Sequence, residues 1–347
     1  MERTDATTRT RSEGAARNQR SAAVVRARDL FQRLRRGMAA MDPLLFPPIC
    51  PLCDADVHER AQLDSCAAKP WWSPFCRTCV QELRQSDRVM DDACRRCGWP
   101  SHWSVQGRAI ERTEPVDFRR TCRICSAMES TPAFDEVAAV CRYDGLARDA
   151  VILGKFPRNA SVITAMGHAI VDRLRRQQAH QGSAAGTEKH GDGPETQGHA
   201  VECHFDFVLT VPSHVFRQVP RGGSNAAILG HAVAERLGCP YRTPLRLTRR
   251  IAKQAWMPDA EARRRNVKGA FRVRRGWTPS RRIPSPLGLG GGDARGMRDN
   301  LTALLVDDVM TTGATANEIA RVLKSAGIAR VSVAVFARAL SAQAEPR

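Results

Sequence analysis

The chain has 347 residues, with 54 Lys and Arg against 36 Asp and Glu, 12 cysteines and a formal charge of +18. That length suggests about two domains. No apolar run approaches the ~18 residues of a membrane helix, and the N-terminus lacks the apolar core of a secretory signal. An apolar content of 42% is too high for wholesale disorder, and without an export signal the cysteines are expected to hold metal in the cytoplasm rather than pair as disulfides.

Residues 1–43 read as a basic leader, expected to be disordered, with Val24, Val25, Leu30, Phe31 and Leu34 marking at most a short amphipathic helix. Residues 1–40, 242–268 and 272–300 together hold the whole charge excess, so the basicity is local. A solvated leader and an arm for nucleic acid or an anionic membrane are both open.

Residues 44–130 carry four C-x-x-C pairs: Cys50/Cys53, Cys76/Cys79, Cys94/Cys97 and Cys122/Cys125. Two such pairs make one tetrahedral site, so the eight thiolates predict two structural Zn²⁺ ions in a double zinc-ribbon module. Spacing leaves open whether the pairs combine in sequence or interleave. His58 and His102 read as surface residues. Cys66, Cys141, Cys203 and Cys239 read as ordinary thiols. Trp71, Trp72, Phe75, Trp99 and Trp103 could form the module's small core or stack on bases.

From Phe134 to Arg176 apolar residues return at core density, and residues 177–200 read as a polar, Gly-rich loop. Phe205–Pro212 predicts a buried strand, and Ala226–Leu237 a helix closed by Gly238. In 242–268 nine basic residues could form a solvated helix, a flap over an anion or a nucleic-acid contact. Residues 276–300 form a second low-complexity insertion.

Leu301–Asp308 then predicts a strand, followed by a hydroxyl-rich loop, a helix over Ala316–Ala326 and a strand over Val331–Phe336. This βαβ order predicts a parallel sheet covered by helices. Asp307 and Asp308 end an apolar strand, where open α/β sheets bind ligands. Thr311, Thr312, Gly313, Ala314 and Thr315 lead into a helix N-terminus whose free N–H groups suit a phosphate. The carboxylates suit sugar hydroxyls or Mg²⁺. A phosphate site beside a diol site describes a sugar phosphate. Thr315-x-x-Glu318 also fits a capping box.

Val306–Thr315 resembles the phosphoribosyl-pyrophosphate (PRPP) motif of type I phosphoribosyltransferases. The wider chain resembles ComF-type proteins associated with bacterial DNA uptake. The cysteine pairs, Tyr143-Asp144-Gly145 leading to Leu153-Gly154-Lys155-Phe156, Arg217–Arg221 after Val211-Pro212, and Arg263-Arg264-Arg265-Asn266-Val267 carry that second resemblance. It implies a type I phosphoribosyltransferase-like domain over residues 131–342. Asp307 and Asp308 would hold the ribose hydroxyls, with Mg²⁺, and Thr311–Thr315 the 5′-phosphate. Pro212, Ser213 and His214 would face pyrophosphate, with Arg217 and Arg221 nearby. Arg263, Arg264 and Arg265 would lie on a cover. Lys155 is either an exposed lysine or a ligand contact. After Arg221-Gly222 the chain departs from the family's aromatic-Asn-Gln, with Gly223, Ser224 and Asn225 instead. The expected activity is phosphoribosyl transfer from PRPP, or binding of a related ribose phosphate, with no residue naming the acceptor. The competing expectation is a non-catalytic protein of DNA uptake that meets single-stranded DNA or uptake proteins through its zinc ribbon and basic segments.

Overall fold

The computed structural model describes residues 49–57, 74–100, 122–126, 130–156, 159–184, 205–212, 224–252, 257–279 and 300–340. Contacts divide the chain into two units, residues 1–50 with 54–63 and residues 51–53 with 64–347. The first is described as a tight turn, in which Ile49 bridges Asp56 and the Cys50 N–H donates to the Ala55 carbonyl at 2.8 Å.

The second unit contains helices α1 (Arg77–Val89), α2 (Arg123–Ser126), α3 (Gly145–Gly154), α4 (Ala160–Ala184), α5 (Asn225–Leu237), α6 (Ala260–Val267) and α7 (Ala314–Ser325). Its strands are β1 (Glu136–Arg142), β2 (Phe207–Thr210), β3 (Leu245–Leu247), β4 (Phe271–Val273), β5 (Thr302–Met310) and β6 (Arg330–Arg338). The main sheet is ordered β1-β6-β5-β2 with every pair parallel, as the βαβ pattern predicts. Residues 331–338 of β6 are all buried, as expected of a parallel strand covered on both faces. β3 and β4 form a separate antiparallel pair.

Helices α4 and α5 pack on each other and on β1 and β2, while α7 packs on β6, β4 and α6. The α4–α5 crossing is close because Gly167 has no side chain, and a Cβ there would lie 2.9 Å from the Ala232 Cβ. A Cβ at Gly230 would lie 2.4 Å from Tyr241 Cε2 and 2.7 Å from Thr210 Cγ2. The core joins Val137, Leu209, Leu305, Ile319 and Val333 to Met90 and Ala93, so the cysteine-bearing segment shares the sheet's apolar interior. A charged seam reinforces this. The buried Arg173 of α4 holds Asp91 and the Met90 carbonyl, and Arg176 holds Asp87 at 2.6 Å.

Several boundaries differ from the expected ones. α4 runs to Ala184, past the start of the polar loop placed at 177, because Arg175–Gln178 are strong helix formers. β5 runs to Met310 because β6 supplies ladder partners opposite Asp307, Val309 and Met310. α7 begins at Ala314, two residues early. Its N-cap is Gly313 and no side chain caps it, so the capping box does not form. Glu318 instead accepts from the Gly269 N–H at 2.8 Å and binds Arg321 at 2.7 Å. At the edge of the second insertion Trp277 meets Phe207 edge-on, with ring centroids 6.0 Å apart. The leader 1–43, most of both insertions, Cys66, Cys203, His58, His102, Trp71, Trp72 and Trp103 lie outside the described residues.

Candidate functional site

Parallel strands bring their carboxyl ends to one edge of the sheet, and there β5 passes into the loop before α7. Asp307 and Asp308 occupy the last turn of pleat in β5. Each carboxylate accepts from the next backbone N–H, at 3.0 Å to Asp308 N and 2.8 Å to Val309 N. Gly313 then turns the chain with φ +77°, and a Cβ there would lie 2.6 Å from Met310 Cε. The left-handed backbone there favours glycine, and a side chain would also have to displace the end of Met310. The Thr312 hydroxyl accepts from the Ala314 N–H at 3.4 Å, closing the turn into the helix N-terminus.

This loop forms one wall of a cavity of about 420 Å³. Asp307, Asp308, Thr311, Thr312, Gly313, Ala314 and Thr315 all line it. From other elements come Pro212 after β2, Lys155 after α3, Tyr143 after β1 and Arg263 on α6. Nine of these eleven residues are the expected site residues from the loop, the turn after β2 and the turn after α3, and Arg263 is the one expected on a cover. Ser213, His214, Arg217 and Arg221 lie outside the described residues. Arg264 and Arg265 do not line the cavity; Arg265 faces Glu261 at 3.2 Å on the exposed side of α6. Tyr143, Leu247 and Ile251 also line it, and nothing in their local sequence assigns them there.

Electrostatically the cavity sets two carboxylates against two cations. Burial, with the neighbouring Asp308 carboxylate second, pushes the Asp307 carboxyl well above the usual range, while Lys155 pulls it down. A carboxyl held in that way favours a cation or a hydroxyl donor beside it. Arg263 has a buried Nε with no hydrogen-bond partner among the described residues. An unpartnered guanidinium nitrogen in a cavity wall suits an anion. The residues at the family departure have structural roles: Ser224 caps α5 by accepting from the Ala227 N–H at 3.4 Å, and Asn225 donates to the Gly154 carbonyl at 2.8 Å, next to Lys155.

The cysteine pairs combine in sequence, not interleaved. Cys50, Cys53, Cys76 and Cys79 form one group, and Cys94, Cys97, Cys122 and Cys125 the other, with ligand atoms within 4.8 Å of one another in each. Sulfur separations of 3.5 Å (Cys53–Cys76), 3.8 Å (Cys94–Cys125) and 3.5 Å (Cys97–Cys122) are close to those of a tetrahedron. Four sulfurs about 2.3 Å from one ion lie roughly 3.8 Å apart, so each group could hold a zinc ion. Each joins a knuckle to a helix start. The knuckles turn through left-handed residues, Asp54 at φ 57° and Gly98 at φ 71°. Cys76 caps α1 and Cys122 precedes α2, where free N–H groups favour thiolate. Phe75 and Trp99 are buried beside the cysteines, as core residues. Cys141 is a buried thiol whose pKa is raised by burial, matching its reading as an ordinary cysteine.

Residues 224–347 match the family described as Phosphoribosyl transferase domain. The "DNA utilization protein YhgH" of Salmonella typhi is 24% identical over 268 residues, 77% of this chain and 91% of that protein, and the same protein of Salmonella typhimurium matches equally. "Competence protein F" of Haemophilus influenzae is 30% identical over 38% of this chain and 50% of its own length. Among solved structures, the glutamine PRPP amidotransferase of B. subtilis complexed with ADP and GMP overlaps 38% of this chain and 22% of its own, at 20% identity and a TM-score of 0.22. The sequence matches agree with the resemblance to ComF-type proteins, and residues 224–347 are similar to a phosphoribosyl transferase domain.

Proposed function

We propose that the cavity binds PRPP, or a related ribose 5-phosphate, together with Mg²⁺, and that the protein transfers the phosphoribosyl group to an acceptor not identified by these residues. The observation that carries this reading is the convergence of an Asp pair, a Thr/Gly loop at a helix N-terminus and two cations on one cavity of about 420 Å³. In it Asp307 and Asp308 hold the ribose hydroxyls as acceptors. The backbone N–H groups and hydroxyls of Thr311–Thr315 hold the 5′-phosphate. Pro212 and Lys155 face the pyrophosphate, and Arg263 covers it, with Ser213, Arg217 and Arg221 assigned there by the family resemblance. Bound Mg²⁺ would supply charge neutralisation beside the carboxylates.

In the transfer, the bond from ribose C1 to the pyrophosphate oxygen breaks and a bond from C1 to the acceptor atom forms. Pyrophosphate leaves with the bonding electron pair, and the acceptor loses its proton. The protein's contribution is to orient the two reactants and offset charge on the leaving group, with no covalent nucleophile. We read residues 44–130 as the zinc module that supports residues 131–342, and we place the protein in the reducing cytoplasm, where thiolates stay available for metal. No helix among the described residues is long and apolar enough to cross a membrane.

Calorimetric titration with PRPP and Mg²⁺ tests the reading. The wild type is expected to bind and Asp307→Ala/Asp308→Ala to lose at least tenfold in affinity, about 1.4 kcal/mol. Absence of heat with the wild type would sink it. The names of the similar proteins favour a second role in handling DNA, which the basic segments could serve. That role predicts single-stranded DNA affinity that falls steeply with salt, and a flat salt dependence would exclude it.

A further inference from the structure

Arg338 is the last residue of β6 and is only 2% exposed. Its partners come from two places far apart in sequence. Nη1 donates to the carbonyls of Met310 at 3.1 Å, Ala339 at 2.9 Å and Thr311, at the entrance of the hydroxyl loop. Nε donates to the Cys97 carbonyl at 3.1 Å, in the knuckle of the second cysteine group. The guanidinium carbon lies 5.8 Å from the Trp99 ring centroid, within cation–π reach. Leu340, two residues on, packs against Cys97, Trp99 and Ile124.

A buried cation needs a compensating charge. Among the described residues no carboxylate pairs with Arg338, whose Nε instead reaches the backbone of the cysteine group at Cys97. A zinc ion with four thiolates carries two net negative charges, which would supply that compensation. The loop end has its own consequence. In a trans peptide the C=O and N–H point in opposite directions. Holding the carbonyls of Met310 and Thr311 therefore turns the N–H groups of Thr311 and Thr312 away from Arg338.

We propose that Arg338 is a positioning residue through which metal occupancy of the Cys94/Cys97/Cys122/Cys125 group sets the conformation of the 311–315 loop. Its bearing on ligand affinity rests on the reading of that loop as a phosphate site. Loss of the metal removes the charge opposite the guanidinium and frees the Cys97 carbonyl. The Thr311 carbonyl then loses its fixed donor, while the Met310 carbonyl keeps the Ala339 N–H at 2.9 Å.

Hydrogen exchange of the full-length protein tests this with zinc bound and after chelation, in the wild type, Arg338→Lys and Arg338→Met. Chelation is expected to speed exchange over residues 311–317 of the wild type by about tenfold, with β2 and α5, which do not touch the cysteine-bearing segment, unchanged. With zinc bound, Arg338→Met should already exchange fast there, and chelation should add nothing. Arg338→Lys keeps the charge and the fold's burial but offers a compact point donor, and should fall between. An unchanged wild-type loop, an equal response of the loop to chelation with and without Arg338, or acceleration spread evenly over β2 and α5 would each overturn the coupling. A parallel PRPP titration keeps the two claims apart. Loop coupling without PRPP binding removes the phosphate reading alone, and PRPP binding without loop coupling removes this inference alone.

Discussion

Asp307 and Asp308 are adjacent carboxyls at the end of one strand, so ionising one opposes ionising the other. With its pKa raised by burial and by Asp308, Asp307 binds its proton more tightly folded than unfolded. Its ionisation therefore costs stability above the folded pKa, and that cost fades as pH falls to the unfolded carboxylate range near ~4. Asp307→Asn is expected to raise the thermal midpoint of the ligand-free protein at pH 8 and to leave it nearly unchanged at pH ~4, as read by circular dichroism. Equal shifts at both pH values would contradict this origin of the strain. The pair and its threonine loop were legible in sequence because the chemistry is contiguous there. Tyr143, Arg263 and Lys155 reach the same cavity from three other elements, so their convergence depends on the strand order β1-β6-β5-β2.

Elements meet at spacings that single side chains enforce. The α4–α5 pair lies over β1 and β2, and Gly230 is where α5 comes closest to Tyr241 and Thr210. Gly230→Ala would place a methyl group inside those contacts and should destabilise the fold by about 1–3 kcal/mol, despite the better helix propensity of Ala. Urea unfolding measures it, and a stabilised variant would show that α5 can move away from Tyr241 and Thr210 at little cost. The βαβ order and the helix closing at Gly238 were readable from periodicity and glycine, since both are local signals. The true ends of β5 and α7 were not. β5 is prolonged by its ladder with β6, and Glu318 is drawn from a capping role by the Gly269 N–H and Arg321.

At the scale of the molecule, the +18 charge and the cysteines belong to one account. Two zinc sites of four thiolates each would lower the net charge to about +14. Elemental analysis should find about two zinc ions per chain. Chelation should lower the unfolding midpoint, because residues 76–100 share the sheet's core through Met90 and Ala93. A metal-free protein of unchanged stability would refute a structural role. Spacing alone could not choose between sequential and interleaved cysteine pairs, since that depends on how the knuckles pack. The central claim is that the edge of the sheet at Asp307–Thr315 is a ribose-phosphate site. The most direct measurement is an experimental structure of the protein with PRPP and Mg²⁺. The account predicts the 5′-phosphate within hydrogen-bond distance of the 311–315 backbone and the ribose hydroxyls on Asp307 and Asp308. A ligand bound elsewhere, or a cavity left empty at saturating PRPP, would contradict it.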